Sequence, residues 1–210
     1  MELAFDTIPS QFYVFLGFWS VTWIATKVHD PDNKGHFSDN GALLTFSNIT
    51  GMTMAAMSLY FNDEKVFMEA NSLFWFATYF IVDLLDCLYR RDVTFTIHAL
   101  ITLGLCGVNC TPKFYNLRIA SQGSFTELSS PLFWRWKKSK EKVDFQIFVF
   151  VFFMCRLVWV PIFVTRASKI VDLGQAAYYV TGAFYMLQLG FFSKSVKILM
   201  DYKEGKSKEA

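Results

Sequence analysis

The sequence predicts an all-α membrane protein with about seven transmembrane helices, on three observations. Of its 210 residues, 53% are hydrophobic and 19% aromatic, against only 18% charged. Apolar runs of about 20 residues, the length a helix needs to cross a bilayer, recur along the chain. Lysine and arginine gather on alternate connections between those runs. The net charge of +2 is too small to mark a nucleic-acid binder, and no nucleic-acid partner is expected.

The first run, 11–27, follows an acidic N-terminus (MELAFDTIPS). That N-terminus lacks the basic n-region and the cleavage site of a signal peptide, so the run is read as a retained helix. Further spans are predicted at 42–60, 72–89, 94–110, 114–133, 145–165 and 173–193. The stretch 114–133 (FYNLRIASQGSFTELSSPLF) is too polar to face lipid and is read as an interior helix or a re-entrant segment. Counting it as a crossing puts Lys27, Lys34, Arg90, Arg91, the basic stretch Arg135–Lys142 and the tail lysines on one side. Only Lys65, Lys113, Arg166 and Lys169 then fall on the other. The positive-inside rule places the N-terminus outside and the C-terminus in the cytosol. The acidic segments Met1–Asp6 and Asn62–Glu69 fall on the outer side.

Ionisable residues lie inside these runs, where stripping their water costs several kcal/mol unless a partner compensates. At about 1.5 Å of rise per helical residue, Asn48, Asp83, His98 and Glu127 sit about 9–12 Å from the basic edge, and Arg156 about 16 Å. These groups, each on a different span, share one slab in the cytosolic half of the bilayer. Helical spacing sets Tyr79, Asp83, Asp86 and Arg90 on one side of the third span, and Thr94, His98 and Thr102 on one side of the fourth. Asn116, Gly123 and Glu127 align on the fifth; Tyr178, Thr181, Tyr185 and Gln188 align on the seventh. Such one-sided polarity fits helices around a hydrated or ligand-filled interior. Asp83, Glu127 and Arg156 equally fit a structural ion-pair network, and His98 a hydrogen-bonded core histidine. Asp86, nearer the interface, is expected to be solvated, and Arg118 to snorkel.

Cys87, Cys106, Cys110 and Cys155 lie in apolar runs without CxxC spacing, so neither a disulfide framework nor a metal site is indicated. A di-iron desaturase needs several histidine boxes, and the chain has only His29, His36 and His98. No ring of charges or filter-like loop marks a channel. The sequons at Asn48 and Asn109 lie within or at the edge of spans and are read as chance matches. Residues 204–210 are charged and expected to be disordered. They end in Lys206-Ser207-Lys208-Glu209-Ala210, which matches the KxKxx retrieval signal read by the coat of Golgi-to-ER vesicles. Coat binding through Lys206 and Lys208, and residence in the endoplasmic reticulum, follow as expectations.

The order YFIVDLL at Tyr79–Leu85, IHALITLG at Ile97–Gly104 and FTELSSPLFWRW at Phe125–Trp136 resembles the TLC domain family. That family includes the ceramide synthases, the translocating-chain-associated proteins and small lipid-homeostasis proteins. The resemblance covers about residues 40–203, leaving 1–39 as an N-terminal transmembrane helix and loop and 204–210 as a cytosolic tail. It implies that six of the seven helices form a TLC-type bundle around a central cavity holding a long acyl chain. In ceramide synthases a pair of adjacent histidines carries acyl transfer. The first matches His98 and the second position is Ala99, so that two-histidine mechanism does not carry over. The aspartate-rich stretch of those enzymes is replaced here by ELSSPLFWRW.

The expectation is therefore a multi-pass protein of the endoplasmic reticulum that binds a membrane lipid with a long acyl chain. It would act in sphingolipid or acyl-lipid metabolism, or in membrane-lipid homeostasis. As an enzyme it would be an acyltransferase taking acyl-CoA as co-substrate from the cytosolic side. His98 would then be base or nucleophile and Asp83 its orienting partner. Asn48, Tyr79, Asp86, Thr102, Glu127, Arg156 and Tyr185 are expected to contact or support the lipid. The alternative is a non-catalytic lipid regulator or an ER–Golgi cargo-sorting receptor, which Ala99 and the tail favour.

Overall fold

A computed structural model of the protein describes residues 8–29, 37, 40–61, 67–170, 172 and 174–202. These residues are helical almost throughout, with no strand among them. The helices are α1 (Ser10–His29), α2 (Gly41–Tyr60), α3 (Phe67–Arg90), α4 (Val93–Asn109), the short α5 (Pro112–Asn116), α6 (119–139), α7 (Lys142–Ile170) and α8 (Gly174–Met200). A 3-10 turn, Phe125–Leu128, lies within α6, and a π-helical stretch, Phe153–Val158, within α7. Among the described residues, α2, the Glu69–Arg90 part of α3, and α7 are long and apolar enough to cross a membrane; α4 is a shorter apolar helix. The acidic N-terminus, the loop after α2, Lys34, His36, Lys65, Lys206 and Lys208 lie outside the described residues.

Local chemistry sets the helix ends. Asn40 Oδ1 accepts from the Leu43 amide at 3.3 Å to open α2, and Asp92 Oδ1 from the Phe95 amide at 3.1 Å to open α4. Each satisfies a donor that a helix start leaves open. Among the described residues, the non-glycine positions with positive φ are Arg91, Arg118 and Lys140, and each one follows a helix and lets the chain reverse. That left-handed conformation costs about 1–2 kcal/mol. A cation at a helix C-terminus recovers about 0.3–1 kcal/mol through the helix dipole, so Arg91 after α3 and Lys140 after α6 suit their places.

Contacts at the two ends fix the helix directions. At one end Lys27 of α1 pairs with Asp86 of α3 at 2.7 Å, Gly41 of α2 lies under the Trp134 indole of α6, and the Tyr202 hydroxyl donates to the Lys140 carbonyl. At the other end Ser58 of α2 donates to Glu69 of α3 at 2.8 Å, the Ser121 amide of α6 donates to Glu69 at 3.1 Å, and Lys113 of α5 donates to the Asp172 carbonyl. The long helices thus alternate in direction. Since α6 touches both ends, the polar fifth stretch runs the length of the bundle. It begins after Arg118 rather than at residue 114, because the left-handed turn at Arg118 breaks the chain there.

The core is mostly apolar but also holds Ser47, Ser72, Asp83, Asp86, Arg156 and Gln188, while Val21, Ile49, Leu100, Phe150, Ile162 and Met186 face outward. Buried charges under an apolar surface are compatible with a membrane protein. α3 is the central helix, with 72% of its apolar window buried against 28% for α2 and 39% for α7. On one side of it Trp19 of α1 meets Trp75 and Tyr79 edge-on, with ring centroids at 4.8 and 5.1 Å, the geometry that ring quadrupoles favour. From α2, Ser47, Gly51 and Ala55 recur every fourth residue on the buried face, which permits close backbone approach. A Cβ on Gly51 would stand 2.3 Å from the Phe76 ring. Gly51→Leu is therefore expected to cost about 1–3 kcal/mol, read as a lowered melting temperature in detergent. Gly17→Leu should leave the melt unchanged, since a Cβ there meets nothing within 4 Å.

Candidate functional site

The buried charges form separate groups. The carboxylate of Asp86, 0% exposed, accepts from Trp23 Nε1 at 2.9 Å and from the Phe37 amide at 2.7 Å. It also pairs with Lys27 at 2.7 Å and Arg90 at 2.9 Å. The expected solvated carboxylate is instead an anchor, covered by the side chains it binds, that ties α1 and Phe37 to α3. Tyr79 likewise turns toward Trp19 and Phe37. The polar stripe of α3 thus faces α1, with Asp83 buried one turn before Asp86.

Glu69 forms the second group, and the sequence reading misplaces it in an outer loop. It lies within α3, 4% exposed, and accepts from the Ser58 hydroxyl at 2.8 Å and from both the amide and the hydroxyl of Ser121. α6 opens on Arg118, whose side chain makes no cap. Glu69 supplies the missing cap from another helix, placing negative charge at the positive end of α6. A signal was available: Glu69 continues the spacing of Leu73, Phe76 and Phe80 by one more turn.

The third group centres on Arg156, buried in the π-helical stretch of α7. Its Nε donates to the Thr126 carbonyl at 2.9 Å and to Ser129 Oγ at 3.1 Å, and its Nη1 to Gln188 Oε1 at 2.9 Å. Its Nη2 reaches both Glu127 oxygens at 3.3 Å and Ser130 Oγ at 3.1 Å. Ser130 donates to Glu127 Oε2 at 2.8 Å, and the guanidinium stacks on Phe152.

Above this network lies a cavity of about 130 Å³. Its wall is mostly apolar and comes from α3 (Leu73, Phe76, Phe80), α4 (Thr102, Leu105), α5 (Phe114), α6 (Gly123, Thr126, Glu127), α7 (Val160, Phe163) and α8 (Thr181, Phe184). His98, Arg156 and Gln188 stand four residues from Thr102, Val160 and Phe184, one helical turn beyond the wall on the same faces. Because the helices alternate in direction, all three displacements point the same way, toward Glu127. His98, Glu127, Arg156 and Gln188 therefore make a polar floor beneath an apolar chamber. Gln188 Nε2 and His98 Nδ1 are buried without hydrogen-bond partners.

Of the residues singled out in the sequence, Thr102 and Glu127 line the cavity, and His98 and Arg156 lie in its floor. Tyr185 braces α8 against α7 through its hydroxyl, 3.2 Å from the Leu157 carbonyl. Asn48 is buried on α2, which adds nothing to the wall, and its Nδ2 has no partner. Tyr178 is exposed and does not continue the α8 stripe. His98 sits edge-on between Phe80 and Phe191, at 5.9 and 6.2 Å. With Nδ1 unpartnered, Asp83 does not orient the ring through that nitrogen.

No family model, curated protein or solved structure matches this chain. The geometry itself specifies a chemistry. A mostly apolar cavity accepts hydrocarbon, and the polar groups that line it, Thr102, Thr126 and Glu127 among them, can meet the polar end of an amphiphile. Arg156→Leu would strand the Glu127 carboxylate at a cost of about 3–5 kcal/mol. Thermal melts in detergent should show that loss, and Arg156→Leu combined with Glu127→Leu should recover most of it.

Proposed function

We propose that the protein is a multi-pass membrane protein that holds the acyl chain of a lipid inside its bundle, in lipid metabolism or membrane-lipid homeostasis. The observation that carries this reading is the apolar cavity ending in a buried polar floor. Seven crossings are supported by the alternation of α1–α4 and α6–α8 and by their lengths of 17 to 29 residues, which meet or exceed the roughly 17 residues that a crossing needs. Lys27, Arg90, Arg91, Lys137 and Lys140 share the end at which α1, α3 and α6 finish, which supports a cytosolic C-terminus. The resemblance to the TLC family supports a lipid as the occupant: Glu127 and Ser129 of its FTELSSPLF motif both bind Arg156 at the floor. The same resemblance, to a family of endoplasmic-reticulum membrane proteins, supports that membrane as the location.

Binding is favoured over catalysis. A histidine nucleophile or base is oriented by a partner and reaches the reacting atom. Here His98 lies one turn beyond the wall, packed between two phenylalanine rings. Acyl transfer from acyl-CoA remains the second reading because His98 Nδ1 is uncommitted.

Gly123 allows a direct test. It lines the cavity, and a Cβ there would meet nothing within 4 Å, so Gly123→Phe fills the chamber without a clash in the wall. Mass spectrometry of lipids co-purifying with the wild type should find a long-chain lipid that Gly123→Phe loses. Gly182→Phe, at an exposed position with equal room, should retain it. Equal lipid content in all three proteins would sink the reading. A long-chain acyl group on the His98 peptide, absent from His98→Ala, would establish the transferase instead. Replacing Lys206 and Lys208 with serine should move the protein from the endoplasmic reticulum to later secretory membranes in fluorescence images.

A further inference from the structure

The charge of the floor narrows the ligand. Glu127 is the one charged residue among those described in the cavity wall, and Arg156 neutralises it at 3.3 Å. Each guanidinium nitrogen of Arg156 is already engaged by Thr126, Ser129, Gln188, Glu127 or Ser130. The floor thus carries no cation with a free face to receive an anion. What it offers is hydrogen bonding. Apart from Glu127, the polar groups of the wall are neutral: Ser72, Thr102, Asn109, Ser124, Thr126 and Thr181. Thr102, Ser124 and Thr126 donate their hydroxyl protons to carbonyls of their own helices, which leaves oxygen lone pairs to accept from the O–H or N–H of a ligand and no donor set for an anion.

We infer that the cavity selects lipids whose polar group is an uncharged hydroxyl or amide and turns away phosphate and carboxylate headgroups. The inference rests on the lipid-binding reading above and deepens it. An anion placed here meets the Glu127 carboxylate without a free counter-charge.

The test is competition against radiolabelled hexadecanol bound to the delipidated full-length protein in detergent. Unlabelled hexadecanol should displace the probe, and hexadecyl phosphate should do so about 100-fold more weakly. Palmitic acid should compete when protonated at acidic pH and fail when ionised at alkaline pH, with hexadecanol as the control at both. Glu127→Gln leaves Arg156 uncompensated and should bring hexadecyl phosphate close to parity with hexadecanol. Equal competition by hexadecanol and hexadecyl phosphate in the wild type would overturn the inference. So would a folded Glu127→Gln protein that binds hexadecanol but still rejects the phosphate. A probe that does not bind the wild type, or binds Gly123→Phe equally well, would remove the cavity reading itself rather than its charge selectivity.

Discussion

The interior depends on Arg156 being buried and fully met. A guanidinium removed from water inside a bundle is tolerated only where its hydrogen bonds are replaced in good geometry. The replacement comes from two other helices, since Thr126, Glu127, Ser129 and Ser130 belong to α6 and Gln188 to α8. Three helices are therefore locked at one level and one rotation. The π-helical stretch Phe153–Val158 widens the turn that presents Arg156, a local irregularity frequent at functional sites. Polar atoms concentrated at that level leave the space beyond it to hydrocarbon side chains, and the cavity follows from this division.

Much of the architecture was legible in the sequence, because apolar length and charged punctuation are local signals. The expected spans at 11–27, 42–60 and 94–110 differ from α1, α2 and α4 by at most two residues at either end. The level of the polar groups was legible too: His98, Glu127 and Arg156 do share one floor. Direction around each helix was not. Depth along an axis says nothing about rotation until the neighbours are known, so the stripe on α3 pointed to a ligand when its partners were Trp19, Trp23 and Phe37. The start of α6 was hidden for another reason. Arg118 adopts a left-handed conformation that no composition rule assigns to arginine. Glu69 escaped notice because a carboxylate beside an acidic loop looks solvated until a hydroxyl and an amide from elsewhere in the chain are seen to bind it.

Two of the buried carboxylates of α3, Asp86 and Glu69, divide the labour of holding the bundle. Asp86 fastens α1 at one end, and Glu69 fastens α2 and α6 at the other. With the aromatic contacts of Trp19, Trp75 and Tyr79 between them, the central helix is held at both ends and along its length. The face that continues from Glu69, with Leu73, Phe76 and Phe80, forms cavity wall.

The cap that Glu69 lends to α6 has a consequence for biosynthesis. Ser121, Ser124, Thr126 and Ser129 are buried in the folded bundle, and a segment carrying them has little affinity for bare lipid. Its place is prepared by chain made earlier: Ser58, Glu69, Ser72 and Phe76 all precede it. Burial of this strut is thus a docking event, in which chain made earlier supplies the partners that Ser121 and Ser124 need.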